Sequence, residues 1–244
     1  MKTQTSFLNA LNFRRSVRVY NEMQNIDTEI VKSCLQQATL APNSSNMQLW
    51  EFHHINSEDI LEQLTTACLD QSAAKTAKEM VVIVVRKDLW KKRAQANLAH
   101  LKSSFGEKDV ATYTKREKFA INYYSKLIPF VYADFLGVFG LLKYLISWFT
   151  GIFKPSYRQL RKSDMRIVAH KSAGLAAQTF MLSMAAEGYD TCPMEGADTL
   201  RIKKILNLPL SAEINMVISC GIRKPEGVYG ERFRIPFEEV YKKW

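Results

Sequence analysis

Three arginines and a hydroxyl fall within a five-residue span, Arg14, Arg15, Ser16 and Arg18, in the run Phe-Arg-Arg-Ser-Val-Arg-Val-Tyr. Guanidinium forks donate paired, charge-assisted hydrogen bonds, so the cluster suits a terminal phosphate. The same side chains also read as solvated surface charges or as partners for helix carboxylates. Far downstream, residues 192–196 read Cys-Pro-Met-Glu-Gly. Cys192 has no sequence-adjacent histidine to support a thiolate nucleophile and reads as a packing residue. His53, His54, His100 and His170 show no HExxH or other ligand spacing, so no metal is expected.

The elements that position these residues belong to a chain of 244 residues, 47% hydrophobic, long enough to fill a substantial core. A single domain over 1–244 is the simplest expectation. Four widely spaced cysteines, Cys34, Cys68, Cys192 and Cys220, form no CxxC pair. That argues against a zinc ribbon, a redox dithiol or a disulfide scaffold and fits a reducing cytoplasm. The first sixteen residues hold no apolar run of signal-peptide length. A formal charge of +10 permits attraction to nucleic acid, anionic lipid or phosphorylated cofactors. No basic stretch is interleaved with stacking aromatics, and no zinc-finger spacing occurs, so nucleic acid is not expected as a partner.

Apolar spacing predicts a helix over Asp27 to Leu40, ended by Ala41-Pro42, then a polar loop and a strand carrying Trp50, Phe52 and Ile55. A short helix is expected over Ile60 to Cys68. The β-branched run Met80 to Val85 reads as a strand buried on both faces. Leu89 to Lys126 reads as largely helical with an interruption at Gly106. Val168 to Glu187 reads as a helix stopped by Gly188, with Ala173, Leu175, Ala176, Phe180, Leu182 and Met184 as its apolar surface. Ile202 to Leu206 reads as a short helix, Ile214 to Cys220 as a strand, and the end of the chain as a final short helix.

Ile128 to Phe153 is almost long enough to span a bilayer, but Asp134 and Lys143 interrupt it and Pro129 opens it. Lys154, Arg158, Arg161 and Lys162 follow. Three readings stay open: a helical insertion buried or at a dimer interface, a peripheral membrane contact, and true insertion.

The ordered set RRSVRVY, ATLAPNSSNMQLWEF, GYDTCPMEGAD and ERFRIP resembles the FMN-dependent nitroreductase family across most of the chain. Two positions depart from the family pattern: Asn43 stands at a usual serine and Leu49 at a usual proline. The resemblance implies an α+β fold, with a central, mostly antiparallel sheet surrounded by helices, in an intertwined homodimer with shared sites. It implies a hydrophobic helical insertion at about 123–163.

By the same resemblance, Arg14, Ser16 and Arg18 hold the phosphate and ribityl region of FMN, with Arg15 contributing through its backbone or its fork. Pro42, Asn43, Ser44 and Asn46 form a loop that covers the flavin from the partner subunit, or serve only as loop and cap residues. Gln71 stands near the pyrimidine edge. The backbone N–H groups of Glu195 and Gly196 lie near flavin N5 and O4, with Pro193 and Met194 shaping the turn. Arg232 and Arg234 match a carboxy-terminal basic pair, one serving the ring edge or phosphate unless both are solvated. The implied activity is ping-pong transfer from NADH or NADPH to a nitroaromatic, quinone or related electron-poor acceptor. Enone reduction, dehalogenation or azoline oxidation would be narrower uses of the same site, and a membrane-associated protein that keeps the fold without turnover is the reading from another class.

Overall fold

The computed structural model describes residues 7–106, 109–133 and 138–244. Its centre is a four-stranded, fully antiparallel sheet made of β1 (Trp50–Ile55), β2 (Glu79–Val85), β3 (Asp190–Met194) and β4 (Glu213–Gly221) in the order β1-β2-β4-β3. Every residue of β2 is buried, as its β-branched run requires. Its side chains alternate between two cores. Val81, Ile83 and Val85 face one, and Met80, Val82 and Val84 face the other.

The first core is closed by helices α2 (Thr28–Ala38) and α9 (Lys162–Ala186). Asp27 starts α2 by accepting a hydrogen bond from the Glu29 N–H, and Val31, Cys34, Leu35 and Ala38 form its buried stripe. Helix α9 brings Ala169, Ala173, Ala176 and Ala177 to the interface, where small side chains allow close approach, with Phe180 and Met184 filling the remaining space. Gly188, at φ 78°, ends the helix as expected. Two expectations for α9 change. It begins six residues earlier than Val168, because Asp164 pairs with Arg161 and caps the first turn. Leu175 is exposed on its outer side rather than packed.

The second core lies under α3 (Glu58–Ala67), α4 (Ser72–Lys75) and α10 (Thr199–Ile205). The amino-terminal α1 (Phe7–Phe13) lies against α9. The remaining helices are α5 (Trp90–Ser104), α6 (Lys115–Asn122), α7 (Ile128–Tyr132), α8 (Val138–Phe153) and the terminal α11 (Phe237–Val240). A π-turn at Tyr123–Leu127 joins α6 to α7. The stretch from Ile128 to Phe153 is therefore not one helix: α7 ends where Ala133 turns extended. Asp134 lies outside the described residues. Among the described residues no helix is long and apolar enough to cross a membrane.

One strand was hidden in the sequence. Pro193 and Met194 are not turn residues but belong to β3, where Pro193 pairs with Ile218. A proline lacks a ladder donor, and β3 tolerates it as the outer strand of the sheet.

Candidate active site

The arginine segment runs beside β3. Ser16 forms a parallel bridge with Thr191, and the Val17 N–H donates to the Thr191 carbonyl at 3.2 Å. Val17 and Tyr20 are fully buried anchors, the Tyr20 hydroxyl lying 2.9–3.0 Å from the Ser219 hydroxyl and carbonyl oxygens. Between them the Arg18 N–H donates to the Gly227 carbonyl at 2.6 Å. A side chain at Gly227 would strike the Val19 carbonyl, so only glycine allows this approach. The buried anchors leave Ser16 exposed and the arginines half-buried at the surface.

The tail completes the cluster. Arg14, Arg15, Ser16 and Arg18 share a cavity of about 280 Å³ with Arg232 and Arg234. Burial lowers the Arg14 pKa first, and the charges of Arg232, Arg234 and Arg15 lower it further. Among the described residues, none of these five arginines makes an ion pair. Against one carboxylate in the same lining, Glu231, the five arginines form an excess of positive charge, half-buried at Arg14, Arg15 and Arg18, which an anion relieves.

Within the cluster the roles divide. The Arg15 Nη2 donates to the Gly230 carbonyl at 2.9 Å. The Arg232 Nη2 donates to the Asn12 and Arg14 carbonyls at 3.0 and 2.6 Å, in the last turn of α1 and just beyond it. The Arg234 Nη1 donates to the Phe233 carbonyl at 2.6 Å. Arg14 and Arg18 make no side-chain hydrogen bond among the described residues, which leaves their forks free.

The loop after β3 lies next to the Gln71 turn. Leu69 and Asp70, with φ of 58° and 54°, fold the chain back after α3. The Gln71 Nε2 then donates to the carbonyls of Cys68 at 3.0 Å and Gly196 at 2.8 Å. Neither the Glu195 nor the Gly196 N–H donates to a protein acceptor among the described residues, and both residues are exposed. Cys192 is fully buried, and burial pushes its thiol pKa up despite nearby Arg18 and Arg14, which supports its packing role.

The Pro42–Asn46 loop stands elsewhere. It feeds β1, the opposite edge of the sheet from β3, beside which the arginine segment runs. Its backbone is bent by positive φ at Ser45, Asn46 and Gln48. Asn43 Oδ1 accepts from the Gln48 N–H at 2.8 Å, and Ser172 Oγ accepts from the Ser44 N–H at 3.3 Å. Asn46 exchanges hydrogen bonds with Asn97, at 2.8 and 3.0 Å. Ser45 Oγ lies 2.6 Å from the Tyr123 hydroxyl, and Tyr124 donates to the Ser45 carbonyl at 3.0 Å. The chain therefore presents two separate groups of candidate residues.

A family model described as the nitroreductase family matches residues 11–222. The chain belongs to the nitroreductase family. Among its relatives, the candidate NAD(P)H nitroreductase MhqN of Bacillus subtilis is 23% identical over 235 residues, covering 96% of each chain. Of solved structures, a candidate nitroreductase of Bacillus subtilis, ydfN, superposes with a TM-score of 0.72 at 24% identity, over 98% of both chains. A candidate nitroreductase of Exiguobacterium sibiricum, solved in complex with FMN, gives 0.68 at 21% identity over 100% of this chain and 99% of its own. These likenesses establish the α+β nitroreductase fold.

Several residues that shape these two groups carry no local sequence signal. Arg223 pairs with buried Asp190, donates to the Phe13 carbonyl at 2.9 Å and lies over the Phe13 ring, tying α1 to β3. Asn97, Ser172 and Tyr123 brace the loop from positions 51 to 128 residues away. Beside Ser44 and Ser45 lies a cavity of about 280 Å³ walled by Tyr123, Tyr132, Tyr157 and Met165. Two of the histidines are engaged with carboxylates: His54 pairs with Glu79 at 2.5 Å, and His170 with Glu213 at 3.1 Å. Among the described residues no group of three ligand-type side chains could hold a metal.

Proposed function

We propose that this protein is an FMN-dependent oxidoreductase that takes reducing equivalents from NADH or NADPH. The observation that carries the reading is the cluster of five arginines without carboxylate partners, with the Arg14 and Arg18 forks free. Bidentate guanidinium forks fit a phosphate monoester in both charge and geometry.

In this reading Arg14, Ser16 and Arg18 hold the phosphate and ribityl chain. Arg15 and Arg232 fix the segment's backbone instead, since their own donors are committed to carbonyls. The exposed N–H groups of Glu195 and Gly196, held against Gln71, serve the polar edge of the ring. Bound there, an isoalloxazine supplies the reversible two-electron chemistry that amino-acid side chains lack. The chain's own contribution is binding, orientation and a positive potential that favours an anionic, reduced cofactor. Nicotinamide donor and electron-poor acceptor, a nitroaromatic or a quinone, use the site in turn.

Two such sites form in a homodimer, where Pro42, Asn43, Ser44 and Asn46 of each subunit cover the other's cofactor. Supporting this, the two residue groups sit at opposite sheet edges, and the tail beyond Tyr229 is exposed while carrying Phe233, Ile235, Phe237 and Trp244. The test is an absorbance spectrum of the purified protein, followed by anaerobic titration with NADH and NADPH. A flavin band bleached by either nucleotide is expected; purified protein that binds no added FMN sinks the reading.

A further inference from the structure

Helix α8 is amphipathic in the wrong sense for a helix facing water. Its buried positions are Gly140, Lys143 and Ser147, spaced along one stripe, whereas its outer face carries Leu141, Leu142, Leu145, Trp148, Phe149 and Phe153. Phe149 is 59% exposed and Lys143 only 7%. The charge that interrupts this run in the sequence is turned inward: Lys143 Nζ donates to the Phe130 and Ala133 carbonyls at 2.7 and 2.5 Å, closing the end of α7. Ser147 Oγ likewise donates to the Tyr157 carbonyl at 2.6 Å. Polar contacts hold the inner face, so the outer face is left without a single charge.

The rim of this face has one sign. Residues 138–163 contain no acidic side chain; besides the inward-turned Lys143 they hold four basic ones, of which Arg161 pairs with Asp164. Lys126, Lys154 and Arg158 are exposed: Lys126 shares a hollow with Phe119, Leu127 and Phe130, Lys154 directly follows α8, and Arg158 donates to the Gly151 carbonyl at the end of α8. Exposed Phe119, Leu127 and Phe130 extend the apolar surface beyond α8. At 16 residues the helix is about 24 Å long, too short to cross a bilayer of about 30 Å but suited to lying in its interface.

We infer that α8 and its basic rim dock this protein on an anionic lipid surface. Trp148 supplies the amphipathic ring favoured at headgroup depth, and the rim lysines meet lipid phosphates. A second copy of the chain is the poorer occupant, because a two-fold contact through this face would oppose the same positive rim to itself. The inference is independent of the flavin reading, since neither α8 nor Lys126, Lys154 and Arg158 belongs to the arginine cluster, to the Gln71 turn or to the cavity beside Ser44 and Ser45.

The test is flotation of the full-length protein with phosphatidylcholine vesicles, alone or mixed with an equal amount of phosphatidylglycerol. Flotation with the anionic vesicles is expected, falling on the order of tenfold or more in L145E/F149E. The K126E/K154E variant should lose the preference for anionic vesicles while retaining the same melting temperature. Both variants alter exposed side chains only, and circular dichroism confirms their folding. Wild-type protein that floats with neither vesicle overturns the proposal, as does unchanged flotation of L145E/F149E. Lipid-free self-association abolished by L145E/F149E assigns the face to a second copy and likewise overturns it.

Discussion

The Arg232 guanidinium donates to the Arg14 carbonyl oxygen at 2.6 Å across 218 positions of sequence. Arg15 returns the contact by donating to the Gly230 carbonyl. Tail and arginine segment are thereby latched in both directions, and the tail sets where the Arg14 fork stands. Removing the latch with Arg232→Ala leaves backbone carbonyls unpaired and should weaken FMN binding about tenfold, equivalent to roughly 1–2 kcal/mol. Quenching of FMN fluorescence measures this. Arg232→Lys should restore little, since a single ammonium cannot reproduce a planar fork spanning two carbonyls. Equal affinity in Arg232→Ala and wild type would dissociate the latch from the site.

Arg14 and Arg18 carry the free forks. Each charge-assisted hydrogen bond contributes roughly 1.5–3 kcal/mol, so Arg14→Ala combined with Arg18→Ala should lower FMN affinity about a hundredfold. Cofactor content after purification reads this directly. Since mutual repulsion is relieved along with the loss of binding, the double variant should keep or slightly raise its apo melting temperature. A large fall in that temperature would mean that these arginines serve the fold rather than the ligand.

Asp190 is 3% exposed and bonded to Arg223 through both oxygens. Breaking a buried pair by removing one partner costs about 3–5 kcal/mol, because the remaining charge is left uncompensated. Asp190→Ala should therefore lower the melting temperature by roughly 6 °C or more. It should also add the Arg223 charge to the neighbouring arginine excess. A calorimetric shift within a degree of wild type would show that Arg223 finds water on its own.

The parts of this molecule legible in sequence are those whose cause is local. Strand β2 announces itself because a β-branched run buried on both faces leaves no other option. Arg14, Ser16 and Arg18 are legible as a cluster because they lie within one span of chain. Strand β3 was hidden because Pro193 argues against a strand unless its position at the sheet edge is known. The early start of α9 was hidden because it depends on one cap, Arg161 with Asp164. Helix α8 was legible as helical but not in its bounds or its inward face: apolar residues on most sides mask its period, and Lys143 looks like an interruption until its carbonyl partners are in view. The latching role of Arg232 has no local signature at all.

No cysteine takes part in the proposed chemistry. All four are buried, and burial pushes the thiols of Cys34 and Cys68 up to about 12 and about 11. At pH 8 the thiolate fraction at Cys34 is then on the order of one in ten thousand. Native protein should release almost no thiolate with a disulfide reagent over minutes, and all four equivalents after denaturation. Cys192→Ser should retain flavin reduction by the nicotinamide donor. Loss of that reduction in a folded variant would return Cys192 to the site.

Glu213 gives the fold a defined acid sensitivity. Burial alone would raise its pKa, but hydrogen bonds from His170, Arg166 and Lys87 outweigh this and bring it from 4.5 to about 2. These partners join the start of β4 to α9 and to the turn after β2, next to the bulge where Asn215 bonds His170. A carboxyl whose folded value lies below its unfolded one stabilises fully above the unfolded value, and loses that contribution as pH falls from about 5 toward about 2. Glu213→Gln should therefore melt lower than wild type at pH 7, with the gap narrowing below about pH 5 and closing only as pH approaches about 2. Thermal melts across this range measure it. A gap between the two that stays constant from neutral to acid pH would mean that Glu213 contributes by shape and packing rather than by charge.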